Sequence, residues 1–126
     1  MSTTLISLPK TIPIPRTLKK IGFHVEALVS CQGMILVNGR PVCNARHPID
    51  GNINPVVDNA DVILGSLSSP TFPIIVTVLF VTYRGLNQSV EVKGHLLIGD
   101  TPYPFQYYTT TSVDPGITHV ETCVLT

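Results

Sequence analysis

The stretch "FPIIVTVLFVTY", residues 72–83, constrains the fold more than any other part of this chain. With the two-residue period of a β-strand, both of its faces are apolar. The two faces would carry Ile74, Val76, Val78 and Phe80 on one side and Ile75, Leu79 and Val81 on the other. A strand that is apolar on both sides has to be covered on both sides. The stretch therefore predicts the central strand of a β-rich fold.

Segments on either side of this stretch alternate between apolar and polar residues, as half-buried strands do. Residues 21–29 place apolar side chains at odd positions, and residues 89–98 place them at even positions, with Gly94 expected to mark a bulge. Residues 105–111 and 117–125 predict two more strands. The pair Asn38-Gly39 lies between two apolar runs and predicts a type I′ hairpin.

One segment predicts a helix. In "VDNADVILGSL", residues 57–67, Asp58 or Asn59 would cap a helix of about two turns and Gly65 would end it. The chain of 126 residues is long enough for one core. We therefore expect a mainly β protein, an antiparallel sandwich or flattened barrel of six to eight strands with one or two short helices. Residues 21–126 would form this single β-rich domain, after an extended basic arm.

The arm comprises residues 1–20 and contains "LPKTIPIPRTLKK", with three prolines and four cations in thirteen residues. The prolines forbid a helix and push each preceding residue into extended geometry. The apolar residues are too interrupted for a signal peptide. No apolar run in the sequence is long enough for a membrane span, so we expect a cytoplasmic location. We expect the arm to lie along a neighbouring subunit or an anionic surface.

Charge is sparse and unevenly distributed. Charged residues make up 13% of the chain, about half the usual share, and the net charge is zero. Residues 1–46 have six cations and one acid, a balance of +5, while residues 47–126 have two cations and seven acids, a balance of −5. Low charge favours association. The asymmetry fits an anionic partner, head-to-tail self-association, or halves that folding interleaves. The cations of the first half are Lys10, Arg16, Lys19, Lys20, Arg40 and Arg46.

Candidate catalytic chemistry is sparse as well. The sequence has no nucleotide-binding or triad motif, so we expect no enzyme activity and no cofactor. The three cysteines predict free thiols in a reducing compartment, and the spacing of Cys43 and His47 fits no zinc pattern. His119, Glu121 and Cys123 alternate on one strand, as a metal site or a Cys–His nucleophile would need. Their bases are about 6.5–7 Å apart. We interpret them as a polar outer face and expect no metal.

An aromatic cluster, "TPYPFQYY", brings together Tyr103, Tyr107 and Tyr108. Aromatic side chains of this kind often line a glycan or ligand site. These tyrosines are therefore the candidate ligand patch of a lectin-like module. The simpler interpretation is a strand, bounded by prolines, that packs one face inward.

Two parts of the sequence together resemble a known family. "IPIPRTLKKIGFHV" is followed much later by "SSPTFPIIVTVLFVTYRGLNQSVEVKGHLLIGD". This order of an extended proline-led segment, strand, apolar strand, turn and amphipathic strand resembles the β-rich matrix domains of negative-strand RNA viruses. The single-domain matrix proteins of the bornavirus kind are nearest in size. The resemblance covers about half of the chain and implies assembly into a lattice, contact with the inner membrane face and, in some members, RNA binding. A net charge of zero is low for such a layer.

The function expected from these observations is structural and non-enzymatic. We expect a viral matrix-type protein, in the virion as well as the cytoplasm, that forms a tetramer or larger homo-oligomer. Its basic first half would contact an anionic surface, either a membrane or RNA or nucleoprotein. The alternatives are a small cytosolic β-sandwich binding module, such as a lectin, and a capsid or accessory subunit of a non-enveloped particle.

Overall fold

The computed structural model describes residues 3–28, 31–47, 54–64, 73–82, 90–109 and 116–126. These residues form two five-stranded sheets. Sheet A has the strand order β1-β9-β8-β3-β6, and sheet B has the order β2-β10-β7-β4-β5. The strands are β1 (Thr3–Ile6), β2 (Thr11–Ile12), β3 (Lys20–Leu28), β4 (Cys31–Val37), β5 (Arg40–Arg46), β6 (Val56–Ile63), β7 (Ile74–Thr82), β8 (Val90–Ile98), β9 (Thr101–Thr109) and β10 (Gly116–Leu125).

The predicted fold class is confirmed, since the sheets form an open, sandwich-like and mainly β arrangement. The described residues form ten strands, where six to eight were expected for the chain. Eight strands, β3 to β10, lie between Lys20 and Leu125, and the other two belong to the arm. All strand pairs are antiparallel except β2 with β10, which run parallel.

The core lies between the inner faces of the two sheets. Strand β7 has β10 and β4 as neighbours, which confirms it as a central strand. Its even-numbered residues from Ile74 to Phe80 are fully buried. Phe80 meets Phe105 of sheet A edge to face, with ring centroids 6.2 Å apart, a favourable geometry for aromatic rings. The two-residue period of β7 thus places alternate side chains inside the core and on the outer side of sheet B.

The helix predicted within residues 57–67 is wrong, because residues 56–63 form strand β6 instead. This strand pairs with β3 along its whole length, from Val56 to Ile63. The Asp58 carboxylate caps no helix and accepts a hydrogen bond from the Asn44 backbone N–H at 2.8 Å. Pairing with β3 thus outweighs the local capping signal. No α-helix occurs in the described ranges, and Gly65 lies outside them.

The predicted hairpin is confirmed. Asn38 and Gly39 connect β4 to β5, with φ angles of 50° and 82°. A type I′ turn requires positive φ at both central residues, which Asn and Gly adopt most readily. Asn38 also ties the turn to the start of β7, because its side-chain oxygen accepts a hydrogen bond from the Ile75 N–H at 2.8 Å.

Gly94 marks no bulge, contrary to expectation. Strand β8 keeps a continuous register past it, with Val25 opposite on one side and Phe105 on the other. A Cβ atom at residue 94 would collide with the His24 carbonyl oxygen and would lie 2.6 Å from the Phe105 ring. The glycine therefore permits a close approach of the neighbouring backbone and ring.

The arm packs on its own chain, which differs from the expectation that it lies on a neighbour. Strand β1 extends sheet A beside β9, and β2 extends sheet B beside β10. From Thr11 to Pro15, the buried Ile12 and Ile14 alternate with exposed residues, so Pro13 and Pro15 point outward and the two isoleucines enter the core. The buried residues of the arm are Leu8, Ile12 and Ile14.

Backbone hydrogen bonds fix the arm against the end of the chain. The Ile14 N–H donates to the Thr126 carbonyl, and the Thr126 N–H donates to the Ile12 carbonyl, both at 3.0 Å. The Val124 N–H donates to the Lys10 carbonyl at 2.9 Å. The arm thus bridges the edge of one sheet and the edge of the other.

We predict that Ile12→Ala lowers the free energy of unfolding by about 2–5 kcal/mol, since it leaves a cavity in a well-packed core. Ile12 is only 1% exposed. Ile6→Ala is the matched control in the same arm, where the side chain is 43% exposed, and should change stability by less than about 0.5 kcal/mol. Urea denaturation at low protein concentration measures both. Equal, small effects would mean that the arm does not pack as described.

Candidate functional site

The outer face of sheet B is the main unpartnered surface that the described residues form. It consists of the outward side chains of β4, β7 and β10, and none of them is charged. Cross-strand register brings Leu79 beside Met34 on one side and beside Val120 on the other. The residues of this outer face are Gln32, Met34, Leu36, Ile75, Thr77, Leu79, Val81, Ile117, Val120, Thr122 and Val124.

Several of these side chains are open to solvent in the single chain. Ile117 is 63% exposed, Val120 is 48% exposed and Ile75 is 43% exposed. Single exposed apolar residues are ordinary, but a contiguous apolar face on a sheet is typical of a contact surface. The second apolar face of β7, which the sequence predicted to be covered, is the middle of this surface.

The outer face of sheet A carries ion pairs as well as exposed apolar residues, among them Val57, Ile63 and Leu97. Glu26 lies between two partners, with His24 Nε2 at 3.3 Å and Lys93 Nζ at 3.8 Å. Lys20 pairs with Asp61 at 3.8 Å. These pairs are substantially solvated, so they contribute little to stability. They give this outer face charge, whereas the outward side chains of β4, β7 and β10 on sheet B carry none.

Two histidines stack on the outer face of sheet A. His24 and His95 lie directly opposite each other on β3 and β8, with ring centroids 5.1 Å apart and planes inclined by 19°. His24 Nδ1 lies 2.5 Å from Asn59 Oδ1. An open groove of about 330 Å³ runs past both rings and Asp61. The alternation of β3 and β8 predicted that both histidines point outward, but their contact depends on strand register.

The pKa of His95 is lowered from its usual value near 6.5. Burial contributes most to this change, the neighbouring His24 adds to it, and the Glu26 carboxylate opposes it. The folded protein therefore resists protonation of His95. A neutral imidazole in a groove has one ring nitrogen that donates a hydrogen bond and one that accepts, and the tautomer decides which nitrogen does which.

His119, Glu121 and Cys123 point into the molecule, so their interpretation as a polar outer face is wrong. Cys123 and Leu125 are fully buried, and the two-residue period then brings the alternate residues of β10 inside as well. The His119 ring stacks on Tyr107, with centroids 5.6 Å apart. Glu121 Oε1 accepts a hydrogen bond from the Leu8 N–H of the arm at 2.9 Å, and Oε2 lies 3.5 Å from His119 Nε2.

The three thiols are not activated. Burial raises the pKa of Cys123 to about 11, and the nearby Glu121 carboxylate adds to the effect. Burial also raises the pKa values of Cys31 and Cys43 to about 11. A thiol with such a pKa stays protonated near neutral pH, so it is neither a nucleophile nor a ready metal ligand. The described part of the chain contains no group of three His, Cys, Asp or Glu residues placed to hold a metal ion.

The six cations of the first half are not gathered on one surface. Lys20 projects from the outer side of sheet A, whereas Arg46 projects from the outer side of sheet B at its β5 edge. Arg40 is exposed beside the hairpin turn. Four of the six cations, Lys10, Arg16, Lys19 and Lys20, belong to the arm, and all four are exposed.

The tyrosines of the candidate ligand patch are divided between two faces of β9. Tyr103 and Tyr107 are partly buried and pack against the core, and Tyr107 contacts Phe80 with ring centroids 5.4 Å apart. Tyr108 lies on the opposite side, next to Glu91 in β8 and Thr4 in β1. The alternation of a strand separates residues 107 and 108 in this way. A glycan site built from all three stays a prediction.

No protein-family model, curated protein or solved structure matches this chain. Within the described ranges, no helix has the length and apolar character needed to cross a bilayer. Function is therefore inferred from the surfaces of the molecule, and the contrast between the two outer faces is their most informative feature.

We predict that the free energy of unfolding falls as the pH drops below about 6.5, in part because of His95. Since the pKa of His95 is lower in the folded chain, the unfolded chain takes up the proton first, and acid favours unfolding in the interval between the two pKa values. His95→Gln removes this contribution and should flatten the pH dependence. Denaturant titrations at several pH values between 7.5 and 5 measure the free energy of unfolding of the native chain and of His95→Gln. If this free energy falls equally with pH in both proteins, His95 is not responsible for the pH dependence.

Proposed function

We propose that this chain is a non-enzymatic structural protein that assembles with copies of itself, as do the viral matrix proteins that its sequence resembles. The observation that supports this best is the uncharged outer side of β4, β7 and β10 in sheet B, set against the ion pairs on the outer face of sheet A. An assembly contact between copies on the outer face of sheet B would cover the exposed apolar side chains around Leu79 and Val120.

A second copy is the occupant that fits this face. In a two-fold contact, the same patch meets itself, so every charged side chain near the axis would approach its own copy and repel it. The central rows of this face have no charge, and they therefore accept a copy of themselves. An acidic or basic partner would find no complementary charge there.

The size of the face limits the strength of the contact. β4 has seven residues. Three strands about 4.8 Å apart and about 23 Å long cover about 330 Å². Stable, specific interfaces bury about 800 Å² per partner, so this face alone supports a weak, concentration-dependent contact. An ordered assembly needs at least one further contact, and several weak contacts reinforce one another through avidity.

The arm supplies the second part of the proposed function, contact with an anionic membrane surface. Lys10, Arg16 and Lys19 are exposed on it. Each cation near an acidic lipid surface contributes about 1 kcal/mol, so one chain binds weakly and an assembly binds well.

We predict that Val120→Lys weakens self-association at least about tenfold, or about 1.4 kcal/mol, because it places two like charges within the contact. Val57→Lys is the matched control: both valines are nearly half exposed, at 48% and 44%, but Val57 lies on sheet A. Sedimentation equilibrium over a range of concentrations measures both. A monomeric native chain at every concentration, or an equal effect of both lysines, would overturn the assignment of the contact to sheet B.

We predict that Lys10→Gln with Lys19→Gln reduces binding to phosphatidylserine vesicles by about 2 kcal/mol, about 30-fold, and that salt weakens the native binding. Lys93→Gln is the control, because Lys93 is engaged by Glu26 and Glu91 on sheet A. Vesicle co-sedimentation measures all three proteins. If the native chain binds single-stranded RNA in a salt-dependent way and ignores the vesicles, the anionic partner is RNA instead.

A further inference from the structure

The edges of the two sheets differ in how they are protected against pairing with another strand. An edge strand presents unpaired N–H and C=O groups, and proteins usually blunt such an edge with charge, proline, a bulge or a covering segment. Across the described ranges, the edge strands of sheet A are β1 and β6, and the edge strands of sheet B are β2 and β5.

Three of these edge strands are protected against pairing with another strand. β2 has only two residues, with Lys10 before it and Pro13 after it. β5 contains Pro41, and its register with β4 shifts between Ile35 and Leu36. β6 is covered by contacts with β5, including the hydrogen bond that the Asp58 carboxylate accepts from the Asn44 N–H.

Within the described ranges, β1 has none of these protections. Its sequence is Thr-Thr-Leu-Ile, without charge or proline, and its pairing with β9 is regular from Thr3 to Ile6. All four residues are exposed. Leu5, at 47% exposure, lies opposite the inward-pointing Tyr107, and Ile6, at 43%, lies opposite Gln106 on the other side of the sheet. The free edge therefore offers an apolar side chain on each face.

We propose that β1 pairs antiparallel with β1 of a second copy, which joins two five-stranded A sheets into one continuous sheet of ten strands. The contact is independent of the outer face of sheet B. The β1 edge contact and the contact on sheet B together extend the proposed assembly function. The inference of assemblies larger than a dimer therefore rests on that proposed function.

A second copy fits this edge for a geometric reason. When a two-fold axis runs perpendicular to the sheet between two antiparallel strands, one residue of each strand lies opposite its own copy. That residue must be uncharged, because two like charges would repel each other across the axis. Pairing centred on Leu5 brings the two leucines together and places Thr4 of each chain opposite Ile6 of the other. Neutral Thr and apolar side chains at these positions tolerate the arrangement and gain cross-strand contacts.

Two different two-fold contacts on one molecule have a structural consequence. A single two-fold contact stops at a dimer, whereas a second one on another surface lets each dimer add further copies in an open chain or a closed ring. The edge of sheet A and the outer face of sheet B are such a pair. A weak face contact and a short edge contact then combine into an extended assembly.

Disulfide trapping tests the edge contact directly. Directly opposed residues of an antiparallel pair have Cα atoms about 4.5–5.5 Å apart, within the range of a disulfide. Leu5→Cys should therefore form a covalent dimer under mild oxidation, at least tenfold faster than the control Val57→Cys on the covered β6 strand. The native thiols stay out of the reaction because they are buried. Dimer formation no faster than in the control would overturn the proposal.

Association measurements separate this proposal from the proposed function. Leu5→Lys should stop growth beyond the dimer that the outer face of sheet B forms, and Leu5→Lys with Val120→Lys should give a monomer. If Leu5→Lys leaves the size distribution unchanged while Val120→Lys reduces it, the edge pairing is wrong and the proposed function stands. If Leu5→Cys cross-links while Val120→Lys has no effect, the edge pairing stands and the contact on sheet B is wrong.

Discussion

The packing of the inner face of β7 against sheet A is the interaction on which the rest of the structure depends. Four side chains of this strand, from Ile74 to Phe80, are buried to 1% exposure or less, and Phe80 meets the aromatic residues of β9 and β10. Burial of side chains of this size contributes about 1.5–3 kcal/mol each. Because the period of a strand is two, the same packing turns Leu79 and Ile75 outward. The core of the molecule and its exposed apolar face are thus two sides of one strand.

In the proposed function, self-assembly and folding therefore depend on the two faces of the same strand. A chain with 13% charged residues has few groups with which to solvate the outer side of a central strand. The available charge is concentrated on sheet A, around Glu26 and Lys93. Sheet B keeps Thr and apolar residues outside, and a second copy is the simplest way to remove them from water.

Much of this fold follows from the sequence, because alternation and turn chemistry are local. The central position of β7, the inward residues of β3 and the Asn38-Gly39 turn were all predictable in this way. β6 was not, because the Asp58 signal for a helix is local, whereas the pairing with β3 that overrides it is not. The inward face of β10 was also unpredictable. Periodicity places His119 and Cys123 on one face of this strand, but it does not say whether that face points into the core. The stacking of His24 on His95 required strand register, which no local pattern contains.

The arm connects the beginning of the chain to strands that come about a hundred residues later, since Thr3 pairs with Thr109. During synthesis β9 and β10 are made after all the other strands, so β1 has no partner until they have emerged. Docking of the arm is therefore a late step, because it closes the longest loop in the fold. The edge at Leu5 is formed in the same step. A growing or incompletely folded chain does not present that edge, and so the order of folding would delay edge pairing until each copy is finished.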